Sequence, residues 1–174
     1  MLNETTLALR AMELAGLPET ELPRVISQIP AALELLGEEV KNSPNYADMQ
    51  TDFTAAPVAG LLDLSAIDGI LFDMGRSTVR VSATGQRLTP VDDLLTLQDG
   101  RLPSDAVYYA QEGRGLRFRS TTPSLTDYAT PVKVRANYEP SLTDVTRPVP
   151  VRFEGRAVAT LAGLVSPAAR KEAA

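Results

Sequence analysis

The stretch Asp105-Ala-Val-Tyr-Tyr-Ala-Gln-Glu-Gly-Arg-Gly-Leu-Arg-Phe-Arg119 decides the fold predicted for the centre of the chain. Its first part is rich in residues that favour strands, and its two closely spaced glycines allow a tight turn at little cost. After the turn the residues alternate, so that Leu116 and Phe118 lie on one face. Arg117 and Arg119 lie on the other face. The stretch therefore predicts a β-hairpin with one buried face and one solvated, cationic face.

A second alternating run, Pro131-Val-Lys-Val-Arg-Ala-Asn-Tyr138, follows the hairpin. We expect it to add a third strand beside the hairpin, because an isolated hairpin is barely stable in water. Shorter runs in residues 61–64, 69–74 and 78–82 predict further strands. Thr89 is a possible N-cap for a short helix that ends near residue 97. Residues 46–140 are therefore predicted to form a β-rich core with one short helix.

Helical patterns dominate the first part of the chain. Asn3 is a favourable N-cap for a helix over residues 4–15, and Gly16 is a favourable stop. Apolar residues then recur at helical spacing over residues 22–40, but Pro30 interrupts them. This segment is either one kinked helix or two helices, with Pro30 at the start of the second. Residues 1–45 are predicted to form an N-terminal helical segment.

Residues 141–174 are predicted to form a connector, a possible docking helix and a tail. The connector is turn-rich and contains several prolines, and the helix covers residues 153–165 with Val158, Leu161 and Val165 on one face. The small, polar residues from Ser166 onward are typical of a tail that orders only against a partner. The fold class predicted for the whole chain is α+β. In it, an N-terminal helical bundle packs against a small, mainly antiparallel sheet, with a C-terminal extension or helix.

The composition argues against most catalytic chemistry. The 174 residues include no cysteine and no histidine, so there is no disulfide, no thiolate ligand and no imidazole base. No Gly-x-Ser-x-Gly motif is present either. We therefore expect that the protein is not an enzyme and that it uses no cofactor or metal. The net charge of −5 argues against binding nucleic acid through a global positive field.

The sequence also bears on localisation. No apolar run approaches the ~20 residues that a membrane helix needs. The first residues do not combine a basic region with an apolar one, as a signal peptide does. We therefore expect no membrane association, and synthesis in the cytoplasm.

Several acidic groups and one glycine pair were weighed as sites. Asp63, Asp68 and Asp73 recur every five residues, but this step changes the face of a strand, so solvation of turns and strand ends is favoured over a cation site. The adjacent pair Asp92-Asp93 is interpreted as helix-start stabilisation rather than as an acid–base pair. Gly113-Arg-Gly115 precedes a strand and not a helix, so a hairpin turn is favoured over a phosphate-binding loop.

Arginines recur along the predicted strands. With Tyr108 and Tyr109 nearby, they are the nearest approach to a nucleic-acid surface in the chain. The alternative is a solvated strand face that discourages aggregation or contacts other proteins, and the acidic total favours it. The arginines concerned are Arg76, Arg80, Arg87, Arg114, Arg117 and Arg119.

In its order of elements the chain resembles the head–tail adaptor (connector) proteins of tailed bacteriophages. The resemblance covers roughly residues 2–138. It is carried by Leu22-Pro-Arg-Val-Ile-Ser-Gln-Ile-Pro-Ala-Ala-Leu33, Ile70-Leu-Phe-Asp73, Thr78-Val-Arg-Val81, Arg87-Leu-Thr-Pro-Val-Asp92, Tyr108-Tyr-Ala-Gln-Glu-Gly-Arg-Gly-Leu-Arg-Phe-Arg119 and Val132-Lys-Val-Arg-Ala-Asn-Tyr138.

The resemblance implies a structural protein of the virion neck. Such a protein forms a homo-oligomeric ring, often of twelve copies, between the portal protein and the tail or neck proteins, and extends the channel through which DNA passes without specific binding. Open sheet edges suit contact with a neighbouring copy, and a cyclic contact closes into a ring. The candidate subunit or partner interface comprises Arg114, Arg117, Arg119, Phe153, Val158, Leu161 and Val165.

In such a ring we expect the arginines to pair with acidic residues of adjacent subunits. Charge reversal at Arg117 and Arg119 is then expected to abolish particle joining and to leave the monomer folded. Two alternatives remain open from the sequence. One is a tail-completion or baseplate ring protein. The other is a small nucleic-acid-binding module that uses the arginine-bearing sheet face.

Overall fold

The computed structural model describes residues 2–167, which form two compact units. The helical unit combines the residues up to Met49 with those from Tyr138 onward, and the strand unit is Gln50–Asn137. The C-terminal segment that the sequence sets apart as connector and helix thus folds with the N-terminal helices. The predicted tail lies, from residue 168, outside the described residues.

The helical unit contains four α-helices: α1 (Glu4–Ala15), α2 (Leu22–Ser27), α3 (Ile29–Lys41) and α5 (Glu154–Val165). Asn3 caps α1, since its side-chain oxygen accepts a hydrogen bond from the Thr6 amide at 2.8 Å. Gly16 ends α1 in the left-handed conformation, with φ of 65°. Both signals were predicted from the sequence, and both are confirmed.

Pro30 separates two helices. Of the two alternatives that the sequence left open, the structure has the second: α2 ends at Ser27, and Pro30 lies in the first turn of α3. A proline is tolerated there because the amides of the first turn have no partner within the helix. The break lets both helices bury their apolar faces, and Val25 and Leu36 are fully buried.

The strand unit contains eight β-strands and one short α-helix. The strands are β1 (Gln50–Ala55), β2 (Leu61–Asp63), β3 (Ile70–Leu71), β4 (Thr78–Val81), β5 (Thr89–Pro90), β6 (Tyr108–Glu112), β7 (Gly115–Arg119) and β8 (Val132–Tyr138), and the helix is α4 (Leu94–Gln98). The last residue of β8 belongs to the helical unit. Together with the helical unit, these elements confirm the predicted α+β class.

The strands form two four-stranded sheets rather than the single small sheet expected. In the first sheet, β8 pairs antiparallel with β1 and with β4, and also neighbours β3. The second sheet has the order β2-β7-β6-β5, in which only the β5–β6 pair is parallel among the described pairs. Buried residues of both sheets, including Val79, Phe118 and Val134, belong to one apolar cluster.

The prediction that residues 131–138 add a third strand beside the hairpin is wrong. Both edges of the hairpin are already occupied, β7 by β2 and β6 by β5. β8 instead lies in the first sheet and contributes Val132 and Val134 to the core that the hairpin also covers. The apolar phase of this strand was predicted correctly, but the phase of a strand does not specify its neighbour.

The hairpin itself is confirmed. Gly113 and Arg114 connect β6 to β7, and Gly113 adopts a φ of 59°. Gly115 begins β7, where a Cβ atom would lie 2.7 Å from the carbonyl oxygen of Leu62 on β2. One glycine is thus required by its backbone angle and the other by the close approach of a neighbouring strand.

The short central helix begins later than the sequence indicates. Thr89 does not cap it, because Thr89 and Pro90 form β5 at the edge of the second sheet. Asp93 caps α4 instead, accepting a hydrogen bond from the Thr96 amide at 2.7 Å. This interaction lowers the pKa of the Asp93 carboxyl group. The interpretation of Asp93 as helix-start stabilisation is therefore confirmed.

Candidate functional site

Alternation places a set of charged side chains on the outer face of the first sheet. In β8, Val132 and Val134 are buried, so Lys133 and Arg135 are exposed on the opposite face. In β4, Val79 is buried and Arg80 is exposed. These three cations therefore lie on the solvent side of the sheet. The valines between them are buried on the opposite face.

The register brings the three cations together. Arg135 is paired with Asp52 on β1 and with Thr78 on β4, and Lys133 is paired with Arg80 on β4. Directly opposite residues in an antiparallel pair have Cβ atoms only about 5 Å apart. Asp52, Thr78, Arg80, Lys133 and Arg135 line a depression of about 350 Å³, which we call the cationic depression.

Asp52 partly neutralises this depression. Arg135 donates from Nε to Asp52 Oδ1 at 2.8 Å and from Nη2 to Asp52 Oδ2 at 3.0 Å, a bidentate arrangement. The hydrogen bond from Arg135 is the main cause that lowers the pKa of Asp52, and the same pair raises the pKa of Arg135. One carboxylate against three cations leaves a formal charge of +2.

Arg80 and Lys133 carry this excess charge. Arg80 donates one hydrogen bond, to the carbonyl of Gly85 at 3.3 Å. Lys133 is exposed and forms no ion pair with any residue in the described part of the chain. The depression therefore offers an ammonium and a guanidinium to an anionic group from outside the unit.

The cationic depression lies next to an open sheet edge. Within residues 2–167, β8 is the only strand that pairs with β1. The other edge of this six-residue strand forms no backbone hydrogen bond to another described segment. An unpaired edge of this length offers its N–H and C=O groups to a further strand.

The hairpin arginines do not form the solvated cationic face that the sequence predicts. Arg117 donates to Glu112 at 2.6 Å and to the carbonyls of Ala59 and Leu125 at 3.0 and 3.1 Å. It therefore joins the hairpin to two loops of its own unit. Most hydrogen-bond donors of Arg117 are therefore already engaged within its own unit and are not available to a neighbouring subunit.

Arg119 is buried, with only 4% of its surface exposed. Its guanidinium donates to the carbonyls of Pro103 and Leu102, both at 3.3 Å, and lies 6.0 Å from the ring centre of Tyr108. The prediction that Arg119 lies on a solvated face is wrong, because the loop that precedes β6 covers this side of the hairpin. Arg114, at the hairpin turn, is exposed as expected.

The C-terminal helix is present, but its apolar face is not available for docking. Val158, Leu161 and Val165 are buried in the core of the helical unit, and Phe153 packs against that core. α5 makes its closest packing with α1 and α3. The helical unit thus covers three of the four residues predicted as a partner interface, whereas Phe153 stays partly exposed.

The arginines weighed as a nucleic-acid surface are divided between the two sheets. Arg80 lies in the first sheet, whereas Arg117 and Arg119 lie in the second. Tyr109 is buried, with 1% of its surface exposed, and stands 5.9 Å from Phe118 between ring centres. It is therefore unavailable for stacking on a base.

Sequence reasoning missed Lys133, Arg135 and Asp52 as site residues. The signal for the first two was present, because the alternation that buries Val132 and Val134 also exposes the residues between them. Asp52 gave no such signal, because its role depends on the pairing of β1 with β8 across more than 80 residues.

Two of the three acidic residues weighed as a cation site have local roles. Asp63 accepts hydrogen bonds from the Ser65 amide and hydroxyl at 2.9 and 2.6 Å, and Asp73 accepts one from the Gly75 amide at 2.8 Å. Among residues 2–167, no group of three or more His, Cys, Asp or Glu side chains is arranged to hold a metal ion. None of the helices described is long and apolar enough to span a bilayer.

The geometry of the site is thus a cationic depression beside an open strand edge. No protein-family model matches the chain, and no curated protein is significantly similar to it.

Proposed function

We propose that this chain is a structural protein of the tailed-phage virion neck, a head-to-tail connector that forms a ring between the portal and the tail and extends the DNA channel. The proposal rests on the resemblance carried by residues 2–138. The open edge of β1 is the structural observation that supports it.

An open edge suits a protein that works by contact with copies of itself. The β1 edge of one copy meets a different surface of the next, which is a head-to-tail contact. Such a contact closes into a ring when its rotation divides a full turn evenly. In this proposal the ring has about twelve copies, binds portal and tail or neck proteins, and surrounds DNA without binding it specifically.

The test is assembly. The purified protein, alone and mixed with a candidate portal protein, is imaged by electron microscopy, and its mass is measured by light scattering. Rings, alone or on the portal, are expected. A protein that stays monomeric under both conditions would contradict the proposal, and rings that join only to tail or baseplate proteins would favour a tail-completion role.

A matched pair of variants tests the edge. Amide groups alternate in direction along a strand, so Thr51 and Thr54, three positions apart, point theirs to opposite sides. Of Thr51→Pro and Thr54→Pro, one removes an amide from the open edge and the other breaks the β1–β8 ladder. We expect the variant that removes the open-edge amide to fold, as judged by circular dichroism, but to form no rings. Rings retained by this folded variant would exclude the β1 edge from assembly.

A nucleic-acid-binding module is the second candidate, favoured by the three cations around the cationic depression. Phosphate binding by such a module weakens steeply as salt rises. Titration of labelled single- and double-stranded DNA at two salt concentrations separates the two functions. The connector is expected to show no measurable binding at either concentration.

A further inference from the structure

We propose that the cationic depression receives carboxylate side chains of a neighbouring copy of this chain. The inference rests on the proposed ring and names the contact that would hold it. It also replaces Arg117 and Arg119, which are engaged within their own unit, with Arg80, Lys133 and Arg135 as the residues that face a neighbour.

The excess positive charge of the depression matches an anionic group. Its volume of about 350 Å³ accommodates one or two carboxylate side chains. Arg135 is already oriented by its bidentate contact with Asp52, so less freedom is lost when a second acceptor arrives. Lys133 and Arg80 supply charge that Asp52 does not neutralise. Charge-assisted hydrogen bonds of this kind are the strong ones in an interface.

A second copy of the chain offers the complementary charge. The sequence has 22 acidic residues against 17 basic ones. Within the strand unit, Asp68, Asp92 and Asp105 are exposed and form no ion pair with a described residue. A contact between these carboxylates and the depression joins two different surfaces, as a ring requires.

Nucleic acid is a poorer occupant. The affinity of a protein for DNA scales with the number of phosphates that its cations neutralise, and the depression has an excess of only two charges. The net charge of −5 on the chain opposes the approach of a polyanion. A short-range contact with a few carboxylates is less affected by the total charge.

The experiment compares two double variants with equal change in charge. Arg80→Glu with Lys133→Glu reverses the depression, and Arg10→Glu with Arg101→Glu reverses two exposed cations outside both the depression and the candidate interface. Both are checked for folding by circular dichroism and for assembly by analytical ultracentrifugation at one ionic strength. We expect assembly to weaken at least tenfold in the first variant only. Equal loss in both, or none in the first, would overturn the proposal.

Complementation identifies the occupant. Asp68→Lys, Asp92→Lys and Asp105→Lys are each mixed with the Arg80→Glu, Lys133→Glu variant. If one of these carboxylates occupies the depression, the two proteins fail to assemble alone and form rings when mixed, because each new contact then joins opposite charges. Failure of all three mixtures would exclude Asp68, Asp92 and Asp105 of a neighbouring copy as the occupants. DNA binding that depends on Lys133 would assign the depression to nucleic acid instead.

These outcomes separate the inference from the proposed function. If the unmodified protein forms no rings alone or on the portal, the proposed function fails. If the unmodified protein and the Arg80→Glu, Lys133→Glu variant assemble equally, the function stands and this contact is excluded.

Discussion

Arg135 holds Asp52 through two hydrogen bonds across the β1–β8 pair, at 2.8 and 3.0 Å. This ion pair joins residues that are 83 positions apart in sequence, and it orients the guanidinium among the residues that line the cationic depression. It therefore contributes both to the stability of the edge strand and to the shape of the candidate site.

Asp52→Asn tests the contribution of this pair to stability. Because the pKa of Asp52 is below its ordinary value of 3.8 in the folded protein, its ionised form adds stability at higher pH, and this stability is lost as pH falls through the folded-state pKa. The pair is partly exposed, so a loss of about 0.2–1 kcal/mol is expected at pH 7. Urea unfolding at pH 7 and pH 3 should show a larger difference between variant and parent at pH 7 than at pH 3.

Asp68→Asn is the control for that experiment. Asp68 is exposed and forms no ion pair with a described residue, so its variant should match the parent at both pH values. A loss of stability in Asp52→Asn that is equal at pH 7 and pH 3 would mean that packing, and not the ion pair, is responsible.

Arg119→Ala tests the correction made to the hairpin. Removing the buried guanidinium leaves the carbonyls of Leu102 and Pro103 without their donor and opens a void beneath the loop. A loss of about 2–3 kcal/mol in the free energy of unfolding is expected. Arg119→Lys should recover only part of it, because a single ammonium cannot reproduce the fork of the guanidinium.

The exposed Arg114 provides the comparison. Arg114→Ala should change the free energy of unfolding by no more than about 0.5 kcal/mol.

The burial of Arg119 also revises the expectation that charge reversal at Arg117 and Arg119 leaves the monomer folded. Reversal at Arg119 places an unpaired carboxylate beside two carbonyls, so we expect it to unfold the strand unit. Thermal melts followed by circular dichroism would show a cooperative, parent-like transition if this view is wrong.

Leu161→Ala tests whether the C-terminal helix is a core element or a docking element. Leu161 is fully buried, whereas Leu14 on α1 is 64% exposed. Truncation of a buried leucine costs about 2–5 kcal/mol, so Leu161→Ala should destabilise the isolated protein strongly. Leu14→Ala should have little effect. Similar stabilities for the two variants in urea would show that α5 is not packed in its own unit.

Glu139→Gln is expected to stabilise the protein. The pKa of Glu139 is raised, mainly by desolvation and then by the nearby Glu34 carboxylate, although Arg147 opposes this. A raised carboxyl pKa means that ionisation costs stability once pH rises through the folded-state value. Replacement by an uncharged amide should therefore add up to about 0.5 kcal/mol at pH 7. The gain should disappear near pH 4, and a gain that persists there would indicate a packing effect.

Local signals in the sequence predicted many of the elements. Asn3, Gly16 and Pro30 marked helix boundaries correctly because capping, the left-handed angle and the missing proline amide are properties of a few adjacent residues. The hairpin at Gly113 was predicted for the same reason. The prediction that Thr89 caps a helix was wrong, because a threonine before a proline suits an edge strand as well as a helix cap.

The alternation of β7 and β8 by itself determined which side chains face the core, because a strand places successive residues on opposite sides whatever its neighbours are. Only the tertiary structure decided which outward-facing arginines meet solvent. The loop at Leu102 and Pro103 covers Arg119, whereas Arg135 is left exposed beside Asp52. Pairings between distant segments depend on how all strands share the available edges, and no local pattern encodes that competition.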